Sequence, residues 1–386
     1  MRRTNHSWSV LTMIEWLSGD ECHSLDEAGL ISGLGRRLQA VGLPVDRLTL
    51  HLMTLHPEYL GRSVAWAPGE PIEIHDRQHG AVSLAFLDSA LCHSMKTREI
   101  IIAGRDGTGA SWQCMDIFAG RDLVQLMIVP LCNADGPVSA AVFATKRTSG
   151  FSQAERQIIE RIMPALRNAC ELRTLRQAEL SLLDTYVGPM TAQRILGGHI
   201  RQGEIESIDA ALLLCDLRCF TEMSNRLRAS NVMQLLSGYF DAVVPAITGK
   251  GGEVLKFMGD AVLAFFPGYS AAWATAAAHQ AAMEILENLE TTQINGMRLS
   301  VGMALHYGEV SYGNIGSGRR LDFTLIGPDV NMVSRIQHVC SEEGHELLMS
   351  RPFVEAREAR IENSIGTRLL KGFENPVELF DGKWNH

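Results

Sequence analysis

Along the first third of the chain the apolar positions switch between two periods. Between residues 25 and 41 they fall at Leu30, Leu34, Leu38 and Val41, a helical spacing closed by Gly42 and Pro44. The next segment, DRLTLHLMTLH (46–56), has a period of two. Leu48, Leu50 and Leu52 share one face and Thr49, His51 and Met53 the other, which predicts a strand. LVQLMIVPLCNADGPVSAAVFATKR (123–147) reads as two strands joined at Asn-Ala-Asp-Gly-Pro. Ser152 and Glu155 then form a capping box that opens a long helical pattern. Its apolar seam runs through Ile159, Ile162, Leu166 and Ala169 and shifts register to Leu172 and Leu175. Such a seam suits either a parallel two-chain connector or a helix packed on its own domain, and Pro164 within it predicts a kink or a break.

Two later runs are more unusual. IDAALLLCDLRCFTEMS (208–224) is an apolar strand, Ala210 to Cys215, that ends on Asp216 and passes through a short polar turn into a helical pattern. EVLKFMGDAVLAFF (253–266) divides at Gly259 into two short strands, Glu253 to Phe257 and Ala261 to Phe266, and so reads as a hairpin with Lys256 and Asp260 near its tip. A salt bridge between these two residues is the plainest account of the pair. The alternative comes from Asp216, because two apolar strands then each deliver one carboxylate. Two hard oxygen ligands on strand ends suit Mg²⁺ or Mn²⁺ when phosphate oxygens complete the shell.

Composition narrows the function classes. A chain of 386 residues is too long for one ordinary core and predicts two domains with a connector. With 46% hydrophobic and 20% charged residues it has the balance of a globular protein, and its net charge of −9 argues against a nucleic-acid-binding surface. MRRTNHSWSVLTMIEWLSGDEC has its apolar stretch broken by Glu15 and lacks a small-residue cleavage site, so no signal peptide is read there. No apolar run approaches the roughly 18 residues of a membrane span. The eight cysteines (Cys22, Cys92, Cys114, Cys132, Cys170, Cys215, Cys219, Cys340) form no C-x-x-C pair, which favours reduced thiols in a cytoplasmic protein.

Residues 1–151 resemble a GAF sensor domain, chiefly through VPLCNADGPVSAAVFATKRTSGFSQAERQIIERI, which looks like that family's last hairpin and the entry to its final helix. No His/Cys cluster with metal or haem spacing occurs in this part, and His51, His56, His79 and His93 are expected to be packing or surface residues. A helical linker (152–204) is expected to follow. Residues 205–386 resemble the catalytic domain of class III nucleotidyl cyclases through four motifs in order: DLRCFT (216–221), LKFMGD (255–260), LDFTLIGPDVNMVSRI (321–336) and LKGFENP (370–376). The expected fold class is therefore α+β, a ferredoxin-like (βαββαβ) cyclase domain preceded by a GAF-like α/β sensor domain.

The resemblance implies a role for each matched residue. Asp216 and Asp260, with the Leu217 carbonyl, would hold two Mg²⁺ or Mn²⁺ ions on a nucleoside triphosphate. The turn through Cys219, Phe220 and Thr221 would offer N–H groups to phosphate at a helix start. Cys219 stands where the family carries Gly, and its Cβ is expected to crowd that loop. Lys256 and Thr324 would read the purine. A lysine donor satisfies adenine N1 and a threonine oxygen accepts from the 6-amino group, which favours ATP over GTP. Asp322, on the same strand face, is expected to be structural. Asn331 and Arg335, four apart on a helix, would orient the ribose and stabilise the transferring phosphate. Lys371 would neutralise the terminal phosphates. The Thr-type subgroup is associated with bicarbonate stimulation.

The reading that follows is a homodimeric adenylate cyclase that binds ATP, regulated by an unidentified small-molecule effector of its N-terminal domain. The rival reading is a degenerate cyclase that binds nucleotide without turnover, with Cys219 as its one support. A diguanylate cyclase is disfavoured, since GGEVL (251–255) does not continue into that family's signature.

Overall fold

The structure, a computed structural model, describes residues 2–54, 56, 59–79, 84–105, 121–132, 138–294, 296–358 and 363–383. The chain divides into two compact units, Met1–Thr185 and Tyr186–His386.

In the first unit α1 (Arg2–Ser18), α2 (Asp20–His23) and α3 (Glu27–Ala40) precede β1 (Arg47–Met53), β2 (Tyr59–Trp66) and β3 (Glu73–Gln78). There follow α4 (Leu84–Leu87), α5 (Ala90–Thr97), β4 (Ile101–Gly104), β5 (Gln125–Leu131), β6 (Ser139–Thr145) and α6 (Gln153–Val187). The strands form one antiparallel sheet in the order β3-β2-β1-β6-β5-β4. Its faces follow from the alternation in β1. Leu48, Leu50 and Leu52 enter a core with Leu30, Leu34 and Leu38 of α3 and Ile159, Ile162 and Leu166 of α6, whereas Leu126, Ile128, Val142 and Ala144 form a second cluster against α5. Asp26 caps α3 by accepting from the Gly29 N–H at 2.7 Å. The Asn-Ala-Asp-Gly-Pro link expected between β5 and β6 lies outside the described residues, as does Cys114. His51 is half-buried, and the burial of its ring lowers its pKa to about 3. His79 hydrogen-bonds the His56 carbonyl at 2.8 Å, and His93 is exposed.

The capping box at the start of α6 is present: Ser152 N–H donates to Glu155 Oε2 at 2.7 Å, and Glu155 N–H to Ser152 Oγ at 3.4 Å. Pro164 neither ends nor divides the helix, so the break that the sequence allowed does not occur. It lies on the exposed face, while Ile159, Ile162, Met163 and Leu166 anchor the opposite face. Of the two readings of the seam, its first part is therefore a helix packed on its own domain.

The second unit begins with α7 (Pro189–Leu196), followed by β7 (Ile205–Leu217), α8 (Phe220–Arg226), α9 (Ala229–Thr248), β8 (Glu253–Met258), β9 (Ala261–Pro267) and α10 (Ala271–Thr291). A short ribbon, β10 (Gln293–Ile294) and β11 (Met297–Arg298), leads to β12 (Val301–Ser317), β13 (Arg320–Ile326) and α11 (Pro328–Glu343). The remainder is β14 (Leu347–Ser350), α12 (Arg351–Ala356), β15 (Ser364–Arg368) and β16 (Val377–Asp381). The sheet order is β15-β16-β14-β12-β7-β9-β8, with β13 paired to β12. Its centre, β12-β7-β9-β8, is a split βαβ arrangement in which β7 and β8 flank β9. The unbroken apolar run of β7 is explained by burial on both sides. Leu213 and Cys215 face α9 and α10, and Leu212 and Leu214 face α11. Asp216 continues the second set and so emerges on the α11 side of the sheet.

An unpredicted anchor fixes the edge strand. Glu253, 5% exposed at the start of β8, accepts from the backbone N–H groups of Met190 (2.7 Å) and Thr191 (3.2 Å) and from Thr191 Oγ1 (2.9 Å). A carboxylate at the first turn of α7 also meets the positive end of that helix.

The described cysteines are all free thiols, with Cys219 exposed and Cys132 half-buried among otherwise buried ones. Among the described residues no helix is long and apolar enough to cross a membrane.

Candidate active site

β8 and β9 turn through only Gly259 and Asp260, with Met258 paired to Ala261. Gly259 has a φ of 71°, a left-handed conformation that a two-residue hairpin loop requires and that glycine adopts without strain. The tight turn sets Asp260 beside the end of β7. There its carboxyl hydrogen-bonds Asp216 and receives its own N–H and that of Leu217. Burial and the adjacent Asp216 carboxylate push Asp260 up to about 6.

Lys256 and Asp260 are thus not partners. Lys256 forms an ion pair with Asp322 of β13, and Asp260 meets Asp216. A register shift between Val254 and Lys256 re-aims the strand at this point. Thr324, 7% exposed, lies two residues along from Asp322 on the same face of β13, so the hairpin and β13 bring Lys256, Asp322 and Thr324 to one neighbourhood.

After Leu217 the Arg218 side chain points away from the aspartates, donating to the carbonyls of Val301 (3.2 Å), Cys340 (3.3 Å) and His345. Cys219, exposed, has φ 59° and ψ 20° as the residue before α8. A non-glycine residue there bears left-handed backbone strain, a different consequence from the crowding of the loop by its Cβ that the sequence led us to expect. Phe220 is half-buried and Thr221 exposed at the helix start.

On α11, Asn331 and Arg335 are both exposed, whereas Gln337 is 9% exposed and its Nε2 donates to Asp216 Oδ2 at 3.1 Å. Two helical positions are roughly 200° apart, so Arg335 faces away from the aspartates of its own chain while Gln337 faces them. Asp329, in the first turn of α11, accepts from His306 Nε2 at 2.8 Å, and His306 Nδ1 meets Ser350 Oγ at 2.7 Å. Lys371 lies on an exposed turn between β15 and β16. Gln337, His306 and Glu253 carry no motif. Only their polarity within buried patterns could have drawn attention to them.

Among the described residues no group of three or more His, Cys, Asp or Glu side chains could hold a metal ion. The aspartate pair nevertheless fits a divalent cation, because two carboxylates forced together favour a positive charge between them. Such a cation would need further oxygens from a phosphate ligand and the backbone.

Residues 204–352, within the C-terminal unit, match the family model described as the adenylate and guanylate cyclase catalytic domain. An adenylate cyclase of Anabaena cylindrica is 28% identical over 222 residues, covering 55% of this chain and 43% of its own length. The terminal-differentiation-specific adenylate cyclase of Dictyostelium discoideum is 29% identical over 177 residues, 44% of this chain and 8% of its own. The chain thus spans less than half the length of these curated relatives. Among solved structures, the guanylyl cyclase Cya2 is 30% identical, with 47% of this chain and 93% of that one covered and a TM-score of 0.40.

Two stability measurements follow from this geometry. Because the folded-state pKa of Asp260 is raised, its contribution to stability is fully present below the ordinary aspartate value of 3.8 and is lost as pH rises through about 6. In EDTA the Asp260→Asn variant is therefore expected to be more stable than wild type at pH 8, by on the order of 1 kcal/mol once solvent screening is allowed for, with the gap closing by pH 4. Urea unfolding at the two pH values checks this, and a gap that does not change with pH contradicts it. Cys219→Gly is expected to stabilise the protein by about 1 kcal/mol through relief of left-handed strain, read as a higher urea midpoint at constant m.

Proposed function

We propose that the protein is a homodimeric adenylate cyclase, converting ATP to 3′,5′-cyclic AMP and pyrophosphate, with regulation by its N-terminal unit. The observation that carries this reading is the convergence of Asp216 and Asp260 at two strand ends beside the turn that opens α8, in a unit that matches the cyclase family model. Asp216, Asp260 and the Leu217 carbonyl would hold two Mg²⁺ or Mn²⁺ ions. When bound, these would acidify the ribose 3′-hydroxyl and offset the phosphate charge. The 3′-hydroxyl gives up its proton to solvent, its oxygen attacks the α-phosphorus, the bond to the bridging oxygen breaks and pyrophosphate leaves. Backbone N–H groups of the Cys219–Thr221 turn receive phosphate oxygens, and Lys371 approaches the terminal phosphates. Asn331 orients the ribose, and the Arg335 guanidinium stabilises charge on the transferring group.

Lys256 and Thr324 read the base. The ion pair with Asp322 is compatible with this role, because an ammonium has three protons and can hold Asp322 while donating to adenine N1. The adenylate cyclases among the curated relatives also favour ATP. For the N-terminal unit we retain the reading of a GAF-like sensor of an unidentified small molecule. It is supported by an antiparallel sheet with helices on both faces and a last strand that enters a capped helix. A cytoplasmic location accords with the free thiols.

The opposite orientations of Arg335 and Gln337 on α11 favour a site completed across a two-fold interface, with metal aspartates from one protomer and Lys256, Thr324, Asn331 and Arg335 from the other. Asp216→Ala and Arg335→Ala chains are each expected to be nearly inactive, with Mn²⁺ and ATP, relative to wild type. A mixed dimer has one site with both defects and one with neither. With free exchange half the dimers are mixed, so activity should recover to roughly a quarter of wild type. No recovery after confirmed subunit exchange would place the whole site in one chain, and absence of cyclic AMP from the wild type would favour the degenerate-binder reading.

Base choice gives an independent test. Lys256→Glu combined with Thr324→Cys reverses the donor and acceptor pattern and is expected to move the ATP/GTP ratio of kcat/KM toward GTP by at least tenfold. An unchanged ratio would mean that other residues read the purine.

A further inference from the structure

Gln337 belongs to none of the cyclase motifs, yet it is the side chain of α11 that reaches Asp216. A carboxylate only accepts, so the amide nitrogen must face it. The same nitrogen uses its second proton on Ser341 Oγ at 3.0 Å. Gly302, which pairs with Asp216 across β7 and β12, lies under the same stretch of the helix, where a Cβ would meet Ser341 Oγ at 3.4 Å and Cys340 Sγ at 3.5 Å in ordinary contact. Arg218 grips the end of the same helix through the Cys340 and His345 carbonyls.

We propose that Gln337 is a positioning residue for Asp216: its amide occupies one edge of the carboxylate and so fixes the edge presented, with Asp260, to a divalent cation. The inference rests on reading Asp216 as a cation ligand. A neutral donor suits the position. A third carboxylate would add repulsion to a pair of like charges already held close together, and a cationic side chain would compete with the metal for Asp216. The rigid helix that orients Asp216 also carries Asn331 and Arg335 on its opposite face. In the proposed dimer α11 therefore ties the metal end of one site to the phosphate end of the other.

The test is Mn²⁺ binding, followed by electron paramagnetic resonance of free Mn²⁺ in the presence of 3′-deoxy-ATP, which lacks the attacking hydroxyl. Gln337→Met keeps the length without donors and is expected to weaken Mn²⁺ about tenfold, with an unchanged melting temperature in EDTA. Gln337→Asn, which withdraws the amide by one methylene, is expected to weaken it also. Ser341→Ala, which leaves the Asp216 contact in place, should stay within twofold of wild type. Mn²⁺ affinity within twofold of wild type in either folded Gln337 variant overturns the proposal, as does an equal loss in Ser341→Ala. A tenfold loss in Gln337→Met from a wild type that forms no cyclic nucleotide sustains the positioning role and defeats the cyclase reading. Unchanged Mn²⁺ binding in an active wild type and variant defeats the positioning role alone. A wild type that binds no Mn²⁺ defeats both.

Discussion

Two carboxylates that repel one another are held together at the end of β7, and much of the C-terminal unit can be understood as what holds them. Asp216 sits on a strand buried on both faces, and Asp260 on a two-residue turn with no slack. Neither side chain can swing far without dislodging an apolar core. The result is a carboxyl whose pKa burial and the neighbouring Asp216 carboxylate raise to about 6, a repulsion that a divalent cation would relieve. Strain of this kind persists only where the surroundings over-determine the geometry. The buried Phe265, Phe266 and Leu212 to Cys215 around the site provide that constraint.

The supports are distributed around the pair in a consistent way. Glu253 secures the start of β8 to the first turn of α7, Lys256 fastens its middle to Asp322, and Gln337 holds Asp216 from the helix side. His306, buried in β12, meets Asp329 and so fixes the first turn of α11. Each contact joins residues far apart in sequence, so each is available only once the sheet has assembled. The site is accordingly a property of the completed fold, although its motifs are local.

That distinction explains what could be read from the sequence. The hairpin at Gly259, the strand that ends on Asp216 and the capping box at Ser152 depend on neighbours within a few positions, where periodicity and turn chemistry act directly. The partner of Lys256 depends on how β13 folds back along β12, and the electrostatic choice between Asp260 and Asp322 has no local signal. Pro164 reads locally as a kink or a break, and the helix is not broken there, because the apolar face packed on the sheet of its own unit outweighs one missing hydrogen bond at an exposed position. Gln337 was invisible because a glutamine within an amphipathic helix resembles any solvent-facing residue until its face is known.

The helix α11 carries the remaining step. Its inner face, with Val333, Ile336 and Cys340, packs on the sheet and delivers Gln337 to Asp216. Its outer face leaves Asn331 and Arg335 exposed. An arginine with a planar fork of donors, held on a rigid helix four residues from an asparagine, is poorly explained as a surface ornament in a unit whose chemistry lies on the other side of that helix. Within one chain these two residues have no access to the aspartates, because roughly half a turn of helix lies between Arg335 and Gln337. A second copy related by a two-fold axis would present the same outer face to the first copy's aspartates, and the first copy's to the second's. In the cyclase reading proposed above, self-pairing would let both faces of α11 serve the same reaction.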